Sequence, residues 1–543
     1  MIDTQVLIVG AGPVGLTLAA DLGLRGVRCT LVEQKEAPQF LPKMERCNAR
    51  TMEIFRRMGL AGSIRAAGLP AHCPMDVFIV TSIVEPPLVH LPYPSVAEAE
   101  KAIAASTDAS MPLEPYQLIS QYTLEPLLKS VVEKLPGVTV RYGTEFLDFT
   151  ENPNGVTARL RNGGSTTEIC ALYLAGCDGG ASPIRKQLGI DLKGEGNLLE
   201  LRQALYRCDE LYERIPIGKG RHYHIADARH TFLILQDSTR HFTLHAVVEQ
   251  DCDMVAHFAK TIVMPLPFEM INCGAWRQNL LVADRYGSGS RVFLAGDAVH
   301  LMIPTGGLGM NTGCGDAIDL SWKLAATLAR WGGPNLLKSY EIERRQVGER
   351  AVAASRFASA GRRKWRSMWR PDIRDDTPEG AQTRANLARI ADVEQRKSNE
   401  MVGAELGYRY VGSPLIAAET TRGTNEAPDE GPQHNFIDYV PSTYPGVRLP
   451  HVWLEDETAV QDRIGYGHGY TLLRFAGNRD VAALGGTFAA YGAPYAVLDL
   501  PDQRARDIYG HDLVLVRPDM HVVWRGNALP DDPARLAALA TGH

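Results

Sequence analysis

No cysteine follows Cys314, and the nine cysteines up to that point are scattered, with no Cys-x-x-Cys pair among them. A disulfide framework is therefore not expected, and dithiol chemistry in the last hundred residues is excluded. Reduced thiols suit a cytoplasmic setting, which is the expected location. No apolar run reaches the length of a membrane span. The opening stretch is apolar enough to mimic a signal peptide, but no positive charge precedes it and three glycines interrupt it, so no targeting segment is read there. Positive charge is not in excess either: a net charge of −6 gives no electrostatic reason to expect nucleic acid or an anionic membrane as partner. The histidines lack acidic or cysteine partners at ligand spacing, and no metal site is expected. With 45% hydrophobic and 22% charged residues the chain has the balance of an ordinary globular protein. Its 543 residues leave room for three or four domains at ~150 residues each.

Two stretches carry chemistry. The first, residues 5–34, reads as a βαβ unit: a strand at 5–9, the turn Gly10-x-Gly12-Pro13-x-Gly15, an amphipathic helix at 16–24, and a second strand at 27–32 that ends in Glu33 and Gln34. The glycines permit a tight turn and close approach of a pyrophosphate to the backbone. Glu33, 18 residues after Gly15, can accept hydrogen bonds from an adenosine ribose. The second stretch, residues 291–311, opens as a short apolar strand and delivers Gly296-Asp297 at its carboxyl end. It continues through His300, Pro304, Gly306, Gly307 and Gly309 into a helix read at 316–328. A carboxylate at a strand end followed by glycines suits a polyol hydroxyl and a flat ring laid on backbone amides. Taken alone, Asp297 reads equally well as a helix cap.

Together the two stretches resemble the FAD-dependent monooxygenases of the single-component aromatic hydroxylase type, the p-hydroxybenzoate and phenol hydroxylase group. Between them, Cys177-Asp178-Gly179-Gly180-Ala181-Ser182-Pro183-Ile184-Arg185 looks like that family's DG motif, associated with FAD and NAD(P)H binding. Residues 405–410, 445–454 and 513–526 look like the longer members that carry a C-terminal thioredoxin-like domain. The resemblance implies an α/β plus α+β chain. Residues 1–70, 116–185 and 285–360 would form a discontinuous Rossmann-like FAD-binding domain, and 71–115 with 186–284 an interleaved antiparallel-sheet substrate domain. Residues 361–440 would be a helical segment and linker, and 441–543 a thioredoxin-like domain without redox cysteines, read as structural and at a subunit contact of a homodimer.

The implied reaction uses NAD(P)H and O₂ to hydroxylate a phenolic or related aromatic substrate through a flavin hydroperoxide. The same scaffold also serves epoxidation, Baeyer–Villiger insertion or oxidative decarboxylation of polyketide or drug-like compounds, and flavin-linked oxidases or dehydrogenases are a further class. Only one dinucleotide fingerprint is present, so the nicotinamide is expected to visit the FAD cleft. By match to the family, Glu45 stands where phenol hydroxylase-like members have an active-site aspartate, and Pro304 joins it as a candidate catalytic residue. Lys43 stands for a basic residue near the flavin, usually arginine, and Gln121 for a glutamine used against the flavin side chain. Leu147, Gly309, Met310 and Asn311 complete the implied FAD contacts. The residues alone also allow a solvated loop at 42–48 and an exposed amide at Gln121.

Elsewhere, residues 117–134 read as a helix with apolar positions at Leu124, Leu127, Leu128 and Val131. Strands read at 205–208, 222–226, 231–236 and 242–249 predict an antiparallel sheet. His222 and His224 share one face, as do His241, Thr243 and His245; each is read singly as solvent-facing, with one or two of His222, His224 and His245 candidates for the substrate cavity. The run 362–370 (RRKWRSMWR) is read as a helix surface meeting another domain rather than a nucleic-acid surface. A hairpin crosses Pro518-Asp519, and because Met520 stands where relatives often have glycine, its turn is expected not to need a positive φ.

Overall fold

Every residue of the strand Thr4–Val9 except Gln5 is buried, the pattern of a strand covered on both faces. In the computed structural model, which describes residues 2–419, 435–467, 469–477 and 480–543, it lies at the centre of a seven-stranded sheet. Its parallel neighbours are Cys29–Val32 on one side and Ser165–Gly176 on the other. The 12-residue strand Ser165–Gly176 does double duty. Its first half pairs antiparallel with Gly155–Asn162, and its second half runs parallel to Thr4–Val9 and Val292–Leu294. The carboxyl ends of Thr4–Val9 and Val292–Leu294 therefore lie side by side, one strand apart, where open α/β sheets bind ligands.

A second seven-stranded sheet runs in the order Glu269–Arg277, Glu200–Arg207, His241–Ala246, Phe232–Leu235, His222–Ile225, Val77–Val80 and Val89–Leu91. Alternation divides its faces. Tyr223, Leu233 and Leu244 point into a core with Tyr206 and Phe258, while His222, Phe232, Ile234, Thr243 and His245 look the other way, toward a cavity. The 33-residue helix Pro334–Arg366 follows Gly309–Leu328 and carries Trp365 into a core with Val77, Ile79 and Leu387. Among the described residues, no helix is long and apolar enough to cross a membrane.

The C-terminal sheet runs Tyr495–Asp499, Tyr470–Arg474, Leu513–Val516, Val522–Gly526, with the first pair parallel and the other two antiparallel. A buried ion network holds it to the rest. Arg517 donates to both oxygens of Glu343 (2.7 and 2.8 Å), to Asp319 (3.0 Å) and to Asp519 (2.7 Å), and Lys323 donates to Asp319 (2.7 Å) and Glu343 (2.5 Å). Arg448 adds an ion pair to Glu53, and Arg50 donates to the Asp519 carbonyl at 2.9 Å. Each of these side chains is buried.

Three expectations need correcting. The helix read at 117–134 begins only at Gln121, because Gln117–Leu118 pairs with Arg46–Cys47 and is drawn out as strand. Met520 adopts φ +70° after all. Its side chain is buried among Leu449, Val516 and Val522, and packing with the adjacent Arg517–Asp519 contact holds the strained residue in place. The helix termini at 316 and 16 move outward, to Gly309 and Pro13. Of the 411–440 linker, residues 420–434 lie outside the described residues.

Substituting Arg517→Met strips the shared cation from three buried carboxylates. The expected result is destabilisation of about 3–5 kcal/mol, the cost of leaving buried charge uncompensated, seen as a lower denaturant midpoint. An unchanged midpoint would take the network out of the account of how the C-terminal sheet is held.

Candidate active site

The strand Thr4–Val9 hands over to Gly10 at φ +102°, where a Cβ would stand 2.3 Å from the Cys177 carbonyl oxygen; a Cβ on Gly15 would come within 2.0 Å of the Gly10 oxygen. Only glycine lets strand, DG segment and helix approach this closely. The helix Pro13–Leu24 then starts with Gly12 as N-cap and no side chain capping it, so its first amides are free for an anion. Glu33 sits beneath, accepting from the Ala11 amide (2.9 Å) and the Lys35 amide (3.1 Å). The carboxylate keeps lone pairs beyond those two bonds. Gln34 is exposed next to it. Leu147 falls where the register slips between Phe146 and Asp148, leaving it outside the ladder. Asp178 accepts from the Ile184 amide at 3.2 Å with one oxygen, while its buried Oδ1 has no partner.

Gly296–Ala298 forms a short 3₁₀ turn at the end of Val292–Leu294. It is fixed from below by Asp316, which is fully buried and accepts from the Gly296 amide (3.0 Å), His300 Nε2 (2.9 Å) and Arg344 Nε (2.8 Å). Burial alone would raise the Asp316 carboxyl; Arg344 and His300 outweigh it and hold it below the ordinary range. Asp297 is thereby presented to a cavity of about 790 Å³. Among the described residues no group donates to its carboxylate. Although its side chain is exposed to the cavity, the protein packed around it desolvates the carboxyl and raises its pKa, with His300 and Lys43 pulling in the other direction. The helix Gly309–Leu328 begins at the same cavity, again without a side-chain cap.

Gly12, Pro13 and Lys43 line this cavity, as do Glu45, Gln121 and Asp297. Pro304, Gly309, Met310 and Asn311 line it from the opposite strand end. Gly10, Gly15, Glu33, Gln34, Leu147, Asp178 and His224 are not part of its lining. Two side chains are already engaged: Asn311 accepts from the Asn48 amide (2.9 Å) and donates to Gly307 (2.6 Å), and Gln121 donates to Glu125 (2.5 Å). Two uncapped helix N-termini and an uncommitted Asp297 around one cleft fit a dinucleotide. The amides suit its phosphates and carbonyls, and the carboxylate its hydroxyls.

Beyond this half, Glu45 faces the second sheet. Its Oε2 lies 2.8 Å from His222 Nε2, and its Oε1 lies 3.8 Å from Arg221 Nη1. Burial would raise the Glu45 carboxyl, but the hydrogen bond from His222 and the charges of Arg221 and Arg46 hold it below the usual carboxylate range. His222 itself is lowered, by burial above all. A neutral imidazole donating Nε2–H to Glu45 fits, because the buried Nδ1 has no partner and a second proton there would be orphaned. The solvent-facing reading of the histidines is wrong for these three. His222 and His245 line the cavity and His224 is completely buried behind them, accepting from Arg366 at 3.5 Å. Burial pushes His245 down to about 3, and it stacks on Phe232 at 4.6 Å.

Sequence reasoning missed the cations. Arg46 and Arg221 flank the Tyr116 ring at 5.6 Å each, and Arg362 and Arg366 also line the cavity. The run 362–370 was read as a surface meeting another domain, yet the i, i+4 spacing of Arg362 and Arg366 already puts both on one helix face.

Replacing Asp297 with alanine should weaken FAD binding by about 1.5–3 kcal/mol, the worth of a hydrogen bond to a charged group. Fluorescence titration of the apoprotein reads this directly. Wild-type affinity in a folded variant would reduce Asp297 to a turn residue.

Comparison with known proteins agrees with this geometry. A family model described as FAD binding domain matches residues 3–355, and one described as aromatic-ring hydroxylase, C-terminal, matches 442–542. The FAD-dependent monooxygenase apdD of Emericella nidulans is 32% identical over 99% of this chain and 90% of its own. Aklavinone 12-hydroxylase DnrF of Streptomyces peucetius is 33% identical over 84% and 88%. Among solved structures, the rebeccamycin biosynthetic enzyme RebC with reduced flavin superposes with a TM-score of 0.88 at 32% identity, covering 100% of this chain and 99% of that one. The chain belongs to the FAD-binding aromatic-ring hydroxylase family and is a FAD-dependent monooxygenase.

Proposed function

We propose that the enzyme hydroxylates the ring of a phenolic substrate, with NAD(P)H as reductant and O₂ as oxygen source. The observation that carries this reading is Glu45, ionised and hydrogen-bonded to His222, in the wall of the cavity that the FAD-binding elements open onto. Bound FAD, once reduced, supplies the chemistry: it activates O₂ and delivers one oxygen atom as an electrophile.

The chain's own residues prepare the other reactant. Phenolate is a far better nucleophile than phenol, so a hydroxyl that gives its proton toward Glu45 makes the ring carbon reactive. A carboxylate held below its ordinary pKa is a weak base when acting by itself. Arg221 and Arg46 make up for this by stabilising the negative charge left on the phenolate oxygen, which lowers the phenol's own pKa. His222 fixes the Glu45 carboxylate through Oε2, leaving Oε1 for the substrate hydroxyl. Phe232, Ile234 and His245 form a flat, dry wall on the far side, where water would otherwise compete.

In this reading Gly12 and Pro13 hold the pyrophosphate, Asp297 the ribityl chain, and Gly309, Met310 and the Asn311 backbone the ring end of FAD. Lys43 and Gln121 stand along it, Glu33 with Gln34 near the ribose, and Leu147 and Asp178 at the periphery. Pro304 lines the oxygen-transfer space. Residues 1–70, 116–185 and 285–360 form the FAD-binding unit, and 71–115 with 186–284 the substrate unit. The strand order and the parallel and antiparallel pairings of residues 470–526 support a thioredoxin-like unit at 441–543.

Glu45→Gln should still bind FAD and be reduced by NAD(P)H, while product formation falls roughly 10²–10⁴-fold, the range for a positioned base. The deficit should shrink as pH approaches ~10, where a phenol ionises unaided. Stopped-flow reduction alongside product quantification separates the two steps. Wild-type coupling at neutral pH in the variant would remove Glu45 from the mechanism.

A further inference from the structure

Arg362 projects from the Pro334–Arg366 helix into the cavity. No hydrogen bond or ion pair ties down its guanidinium among the described residues. Its Nε is buried without a partner, and its Cζ stands 5.4 Å from the Phe232 ring centre. Beside it Arg221, 2% exposed, spends Nη2 on Asn399 (2.8 Å) and leaves Nε and Nη1 without a hydrogen bond, Nη1 having only the 3.8 Å ion pair to Glu45. Arg366, 6% exposed, makes only long hydrogen bonds of 3.5 Å among the described residues, to the Ile225 carbonyl and His224, and lies over the Trp365 ring at 4.7 Å. Three guanidiniums thus face one small volume. Glu45, at 3.8 Å from Arg221, is the nearest carboxylate, and among the described residues no carboxylate pairs with Arg362 or Arg366.

Cations withdrawn from water without a counter-ion are costly. Burial pushes Arg362 down to about 10 and Arg366 down to about 9, a measure of that cost. Such an arrangement persists in a functional cleft when a ligand brings the missing negative charge. A guanidinium fork matches a planar carboxylate in a bidentate manner. The surface between the fork and Glu45 is the Phe232–His245 stack, interplanar angle 7°, with Trp276 in the same wall. That wall is flat and apolar, shaped for an aromatic ring and unsuited to a sugar–phosphate chain.

We propose that the substrate is an aromatic acid, a ring bearing a carboxylate that Arg362 binds with Arg221 and Arg366 in support, oriented with its hydroxyl toward Glu45. This rests on the phenol hydroxylase reading above and adds its substrate class. Arg362 is a specificity residue here: it recognises an ionised substituent and turns the ring's other edge to the site of oxidation.

The test is binding to the FAD-loaded enzyme, read from the perturbed flavin absorbance, which needs no turnover. Matched pairs of hydroxylated aromatic carboxylates and their primary amides are titrated, with one-ring and two-ring members. The acids should bind more tightly than the amides. Arg362→Gln should weaken acid binding roughly 10- to 150-fold, the span for a hydrogen bond to a charged group, and bring the acid-to-amide ratio toward one. Arg362→Lys, which keeps the charge but not the fork, should recover part of the difference; FAD content and melting temperature check the fold of both. Equal binding of acid and amide by the wild type overturns the proposal, as does binding of neither. Equal loss of both ligands in Arg362→Gln does so as well. A rise in KM for NAD(P)H with the acid-to-amide ratio intact also overturns it, assigning the guanidinium to the nucleotide's phosphates. Selective acid binding that yields only hydrogen peroxide would sink the hydroxylase reading and leave this one standing.

Discussion

The carboxylate of Asp316 is the interaction on which the rest of the site depends. It lies about two turns inside the Gly309–Leu328 helix and takes three hydrogen bonds, from the Gly296 amide, His300 and Arg344. The first fixes the turn that presents Asp297. The third reaches the Pro334–Arg366 helix, which carries Arg362 into the cavity. Arg344 also donates to the Thr312 carbonyl (3.0 Å) and the Tyr410 hydroxyl (3.1 Å), so one buried cluster sets the relative placement of strand end, helix start and connecting segment. A charge buried this deeply is tolerable only because every bond is made. The same helix, one turn further on, offers Asp319 to Arg517 beside the C-terminal sheet, and its Lys323 shares Asp319 and Glu343 with that guanidinium. The C-terminal region also grips the helix Ala49–Arg57 through Arg448–Glu53, and that helix begins four residues after Glu45. The C-terminal sheet thus braces both sides of the cleft.

Charge is distributed unevenly across that cleft. The half built from the two helix N-termini offers backbone amides and Asp297, groups that recognise phosphates and hydroxyls. The other half concentrates guanidiniums around a single ionised glutamate. On the proposed reading an electron-rich, anionic ring is held and polarised by such a field, while the neutral histidines add shape and hydrogen bonds without adding charge. Selectivity and activation of substrate would then draw on the same cations.

How much of this could be read from the residues depended on the range of the interaction. The Gly10–Glu33 unit was legible because strand, turn and helix are contiguous and each glycine answers a local steric demand. Alternation correctly put His222 with His224, and Thr243 with His245, on shared faces. It could not say which way the faces look, since period two is indifferent to what covers the sheet. The partners of Asp316 lie 16, 20 and 28 residues away, in separate elements, and no local pattern links them. Met520 misled for a different reason: the turn's backbone is dictated by burial of the side chain and by Arg517, against its own preference. The cations at 362 and 366 were visible as a run, but a basic run on a helix reads the same whether it faces solvent, a neighbour or a substrate.

The account stands on oxygen transfer to a substrate held in this cavity, and isotope labelling tests that most directly. FAD-loaded enzyme, NAD(P)H and a hydroxylated aromatic substrate are combined under ¹⁸O₂ and the product is weighed by mass spectrometry. One labelled oxygen atom per product molecule is the predicted result. Label entering from H₂¹⁸O instead, or NAD(P)H consumed with hydrogen peroxide as the sole oxygen product across the substrate panel, would contradict it.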